Sequence, residues 1–144
     1  MKFRKIILLV ISILLIHSPV GFAEIDKNIE VFDIQKGKVI KAVPLQDEFQ
    51  AEVKKYIAGI DHIYVKINPI PKKGYMIKIP LNPKVHIQNQ WINTNSDQII
   101  LVFTKDEKPY LMVFDDKNHP LFFTFKGGNT DVLLRNLQIN LNDL

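Results

Sequence analysis

Beyond residue 23 the chain holds a single serine, Ser96, inside Asn93-Thr94-Asn95-Ser96-Asp97. That stretch has turn composition, and no G-x-S-x-G elbow surrounds it. A serine nucleophile needs a base to take its proton, and nothing near Ser96 signals one. Thiol chemistry is excluded outright, because the chain has no cysteine. Disulfides, thiolate metal sites and cysteine catalysis go together with it. His62, His86 and His119 lie far apart, with no H-E-x-x-H or H-x-H, so the ligand spacing of a metal site is missing. Asp115-Asp116-Lys117-Asn118-His119 is acidic but lacks the alternating acids and distal glutamate of a calcium loop, and it reads as a solvated hairpin turn. The glycines at 37, 59, 74, 127 and 128 form neither G-x-G-x-x-G nor a Walker pattern. Gly127-Gly128 is read as a strand-to-helix turn. No cofactor and no metal are expected.

Two groups of side chains remain for functional work. Asp61, His62 and Asp116 are the raw material for acid–base catalysis. Asp61, Asp97 and Asp106 all fall at expected turns, however, which argues against two carboxylates facing each other across a cleft. Among the aromatics, Tyr64 and Tyr110 sit between apolar neighbours and are expected in the core. Tyr75 and Trp91 sit in lysine-rich or polar surroundings, which makes them candidates for a binding patch.

The N-terminus sets the compartment. Lys2, Arg4 and Lys5 precede an uncharged run from residue 6 to 16, and Gly21 and Ala23 place small side chains before Glu24. This is the three-part layout of a secretory signal peptide over residues 1–23, with cleavage expected between Ala23 and Glu24. The run of eleven residues spans ~16 Å as a helix, short of the ~30 Å hydrocarbon core. An uncleaved anchor is the alternative, and it is the chain's only expected route to the membrane. Residues 24–144 are expected to form one exported domain, secreted or associated with the cell envelope. Without Lys2, Arg4 and Lys5, 16 basic residues face 15 acidic ones, a net of +1 and no footprint for nucleic acid or for an anionic membrane. The balance is uneven: residues 35–86 carry ten lysines and four acids, residues 87–144 five basic and seven acidic groups. Both are read as ordinary solvated faces.

The elements that must position these side chains follow from period. Residues 29–34 and 38–43 flank Gln35-Lys36-Gly37 as a β-hairpin. Phe49, Val53, Tyr56, Ile57 and Ile60 form one stripe at helical spacing and predict a helix over 46–59, with Gly59 ending it. Strands are expected at 62–67, 75–81 and 85–92, with Pro69, Pro71, Pro80 and Pro83 keeping the strand ends out of a central ladder. Residues 99–103, 110–114 and 121–125 form a meander, and Asn129 or Thr130 caps a short C-terminal helix. The fold class is α+β: a twisted antiparallel sheet, hairpin plus meander, with one main helix packed on it and a short C-terminal helix. A helix in the curl of a meander is the general shape of cystatin-like and NTF2-like folds, an architectural likeness without a matching motif. The three meander runs are apolar at both parities, so both sheet faces must be covered. The first helix covers one; the C-terminal helix, a curled sheet or a partner must cover the other. The expected function is a non-enzymatic module that binds a protein, peptide or envelope component. An envelope enzyme working through Asp61, His62 and Asp116, and a membrane-tethered accessory protein, are the alternatives.

Overall fold

The computed structural model describes residues 27–144. The expected leader and its Ala23–Glu24 cut lie outside the described residues. The chain forms β1 (Asn28–Asp33), β2 (Lys38–Pro44), α1 (Asp47–Ala58), β3 (Ile60–Ile63), β4 (Tyr75–Gln88), β5 (Asn93–Phe103), β6 (Tyr110–Phe114), β7 (Pro120–Phe125), α2 (Thr130–Asn136) and a final 3-10 turn at Leu141–Asp143. All seven strands join one antiparallel sheet in the order β2-β1-β4-β5-β6-β7-β3. The molecule is therefore α+β, with one main helix and one short helix on a meander-and-hairpin sheet.

The order of strands dictates where the connections run. β2 and β3 are opposite edges of the sheet, so α1, which joins them, crosses one whole face. Phe49, Val53 and Tyr56 point from α1 into the sheet and Lys54 points out. Opposite them are Ile29, Val31, Ile77, Ile79, Leu101, Leu111 and Phe123, all buried. Ile77 pairs with Leu101 and Leu101 with Leu111, so one parity of each central strand faces the helix. Each such side chain contributes roughly 1.5–3 kcal/mol on burial.

The C-terminal helix shares this face. Asn129 caps α2, its side chain accepting from the N–H groups of Asp131 and Val132. Leu133, Leu134 and Leu137 join the same core cluster as Val53 and Tyr56. The Tyr56 hydroxyl donates to the Asn129 carbonyl at 3.2 Å, and the Lys41 ammonium of β2 donates to the Leu137 carbonyl at 2.7 Å. α2 thus does not cover the second face of the sheet.

The second face is covered by the connection between β3 and β4, residues 64–74. β3 is an edge and β4 is central, so this segment must pass β7, β6 and β5, and α1 already occupies the other side. Beneath it Val102, Tyr110 and Met112 are buried on the parity opposite Leu101 and Leu111.

Several expected boundaries shift. Residues 75–81 and 85–92 are not two strands but parts of the 14-residue β4, with a register shift between Pro80 and Val85. The prolines sit inside a central strand. They are tolerated because the β1 ladder ends at Lys78, so Pro80 and Pro83 have no β1 carbonyl to serve. Asn93–Asp97 is not a turn but the start of β5, where pairing with Val85–Gln88 overrides turn propensity. The strand expected at 62–67 is paired only to Ile63, with Tyr64 adding one bond to the Phe122 carbonyl. Gly59 ends α1 as expected, but at φ −87. Glycine is required there because a Cβ would run into the Lys126 carbonyl.

Candidate interaction surface

Three places hold the side chains singled out by sequence. The first is the margin formed by β3 and β7. Asp61 accepts from the Thr124 hydroxyl at 2.6 Å and pairs with the Lys126 ammonium at 3.1 Å, with His62 Nδ1 at 3.5 Å. The Thr124 hydrogen bond, then Lys126, hold the Asp61 carboxyl down at about 2. Such a carboxylate is ionised and weakly basic at neutral pH, the reverse of a poised general base. The His62 ring lies 5.8 Å from that of Trp91.

The second place is the polar hollow of about 380 Å³ between β4, β5 and the β6–β7 turn, lined by Lys84, Asn95, Asp97, Asp115 and Asp116 among others. Asp116 accepts from the buried Thr94 hydroxyl at 2.6 Å. Asp115 organises its own turn, accepting from the backbone N–H groups of Lys117 and His119. Asp61 and His62 are not among the residues lining this hollow. Asp116 is bonded to Thr94 and Asp61 to Thr124, so the two carboxylates serve separate local networks. Among the described residues no group of three or more His, Asp or Glu side chains is placed to hold a metal ion.

Trp91 and Tyr75 are separated as well. Tyr75 is the first residue of β4, pairs with Asp33 and Phe103, and is only 5% exposed. It is a core residue on the helix face, so it offers no ring to a ligand. Trp91 lies beyond the other end of β4, in the turn where Asn89 Oδ1 accepts from the N–H groups of Trp91 and Ile92. It is half-buried against the core.

The third place is the β3–β4 connection, and here the geometry is distinctive. The Tyr64 ring stacks on Tyr110 with centroids 4.1 Å apart and planes at 10°. The Tyr64 hydroxyl donates to one Glu107 oxygen at 2.5 Å, and the Lys66 ammonium meets the other at 2.5 Å. The Tyr110 hydroxyl donates to the Pro69 carbonyl. Burial first, then the Glu107 carboxylate, raises the Tyr64 phenol. The Lys66 hydrogen bond, followed by Tyr64, lowers Glu107. These contacts hold Tyr64 and Lys66 on the Glu107 side of the segment. Successive side chains of an extended segment alternate, so Val65 and Ile67 must turn outward, and they are 89% and 99% exposed. Ile63, at 51%, and Ile70, at 43%, extend the row.

The sheet's two edges differ accordingly. β2 exposes Val39 and Ile40 at 47% and 39%, but between Lys38 and Lys41 and ahead of a terminal Pro44, which guard an open edge. β3 is followed by exposed apolar side chains. The strand expected at 62–67 came without an assignment of its two faces. The available signal was Tyr64 and Lys66 sharing one parity, with Ile63, Val65 and Ile67 on the other.

Compared with known proteins, the chain matches no protein-family model, no curated protein and no solved structure. Among the described residues no helix is long and apolar enough to cross a membrane.

Proposed function

We propose that this is an exported, non-enzymatic binding domain that engages a component of the cell envelope through the β3–β4 connection. The observation carrying this is the row Ile63, Val65, Ile67 and Ile70, exposed on a segment that Glu107 and Tyr110 hold in place. Ordered apolar side chains that face water cost free energy unless something covers them. A segment pinned by a ring stack, an ion pair and two hydroxyl hydrogen bonds loses little further entropy on binding. The weakly basic Asp61, and its separate hydrogen-bond partner from that of Asp116, Thr124 against Thr94, favour binding over acid–base catalysis. The leader pattern at residues 1–23 supports export.

A photo-crosslinking residue placed at Val65 and, as control, at the exposed Lys54 of α1 tests this in producing cells. Adducts from position 65 well above those from position 54 are expected. Equal yields from the two positions would remove the β3–β4 connection as the binding surface.

A further inference from the structure

We propose that the β3–β4 connection docks on an anionic lipid surface, with Val65 and Ile67 entering the acyl boundary and nearby lysines meeting the headgroups. This rests on the interaction surface described above and assigns the chemistry of its partner.

Three observations favour lipid over another protein. The first is the form of the apolar row. Val65 and Ile67 are 89% and 99% exposed, so each stands nearly free of its neighbours as a prong. A protein partner would need a preformed socket for each prong, because protein interfaces bury flat, complementary patches. Fluid acyl chains close around a protruding side chain without any socket, and the gain scales with the apolar area removed from water.

The second is charge. Lys72 and Lys73 follow the prongs directly and are exposed. The adjoining β5–β6 loop adds the exposed Lys105 and Lys108. This loop is tied to the connection through Glu107, which contacts both Tyr64 and Lys66. Lys66 and Glu107 neutralise each other, which leaves four lysines against Asp106 around the prongs, a local cluster in a domain whose net charge beyond residue 23 is only +1. Apolar prongs flanked by ammonium groups match a surface that is apolar inside and negative at its rim.

The third is rigidity. The Tyr64–Tyr110 stack and the Tyr110 bond to the Pro69 carbonyl fix the backbone on either side of the prongs. The side chains are presented before contact, so docking orders little.

The absence of cysteine allows a clean experiment, because one introduced thiol is the only site for a label. In the full chain, Ile67→Cys and, separately, Lys54→Cys carry an environment-sensitive fluorophore. Both positions are exposed, so neither substitution disturbs the core. The labelled proteins are mixed with vesicles of phosphatidylcholine alone or with a third phosphatidylglycerol. A blue shift at position 67 in the anionic vesicles, quenched by spin-labelled acyl chains and absent at position 54, is the expected result. Control at position 54 separates this docking from any tethering by the N-terminal run. Adding Lys72→Gln and Lys73→Gln should require roughly 25-fold more anionic lipid for the same shift, since each lysine near the surface is worth about fivefold. An unshifted label at position 67, an equal response at 54, or an equal response to neutral vesicles overturns the proposal. So does a shift that follows protein concentration without lipid, which would identify a second copy of the chain as the partner. An unshifted label here together with protein adducts from position 65 would overturn lipid docking and leave the binding domain standing.

Discussion

At the scale of single residues, Asp61, Glu107 and Asp115 are tied into local bonds. Asp61 is held at about 2 by Thr124 and Lys126. An unfolded aspartate titrates near 3.9. Between those values the unfolded chain binds more protons at this position, so the stabilisation is complete above about pH 4 and is lost as pH falls toward 2. A carboxyl NMR titration should place the Asp61 midpoint near 2. Thr124→Val removes the largest cause and should move the midpoint up toward the ordinary value. If the variant titrates like the wild type, Thr124 does not hold the carboxylate. Tyr110→Phe tests the second pinned group: loss of the hydroxyl bond to Pro69 should cost about 0.5–1.5 kcal/mol in urea unfolding. Amide exchange in residues 64–70 should rise with it. Unchanged exchange would mean that the ring stack alone holds the connection.

At the scale of elements, α1 and α2 act as one cover on one face. Val53 is fully buried beneath α1 and Lys54 is exposed beside it. Val53→Asp places a charge in the core without a partner and should unfold the domain or cost more than about 4 kcal/mol. Lys54→Ala should change stability by less than about 0.5 kcal/mol. Similar effects from both would refute the assigned face. Leu137, buried in the same cluster, extends the test to α2: Leu137→Ala should cost about 2–5 kcal/mol in chemical denaturation. A cost under 1 kcal/mol would detach α2 from the core. Gly128 joins β7 to α2 at φ +69, and a Cβ there would strike the Tyr56 ring. The chain thus turns tightly onto α1 at a place that only glycine fits.

At the scale of the whole molecule, two crossings enclose the sheet. α1 passes from edge to edge on one side, and residues 64–74 return partway on the other. Without cysteines, stability cannot depend on disulfides, and packing has to carry it. The melting temperature should move by less than about 4 °C with chelator, roughly 1 kcal/mol for a domain of this size. A larger drop would reveal a bound metal. N-terminal sequencing of the protein recovered from producing cells should read Glu24 or a residue close to it. An intact Met1 in the membrane fraction would make the leader an anchor.

By itself the sequence determined what depends on composition and period. The empty cysteine count, the helical stripe from Phe49 to Ile60 and the three apolar meander runs settled the class of fold, because spacing along one chain sets which side chains share a face. The apolar residues at both parities called for a cover on each face. Only the tertiary structure decided what supplies each cover. The β3–β4 connection, not α2, lies over Val102 and Tyr110, because β3 pairs at the far edge with β7, and strand partners cannot be read from local pattern. Pairing likewise merged 75–81 with 85–92 and turned Asn93–Asp97 into strand. It buried Tyr75 despite its lysine-rich surroundings, by setting it opposite Asp33 and Phe103. A strand at 62–67 was expected from the residues, but which of its side chains face out was not. Glu107 and Tyr110, more than forty positions away, hold Tyr64 and Lys66 to their side and leave Val65 and Ile67 on the other, exposed.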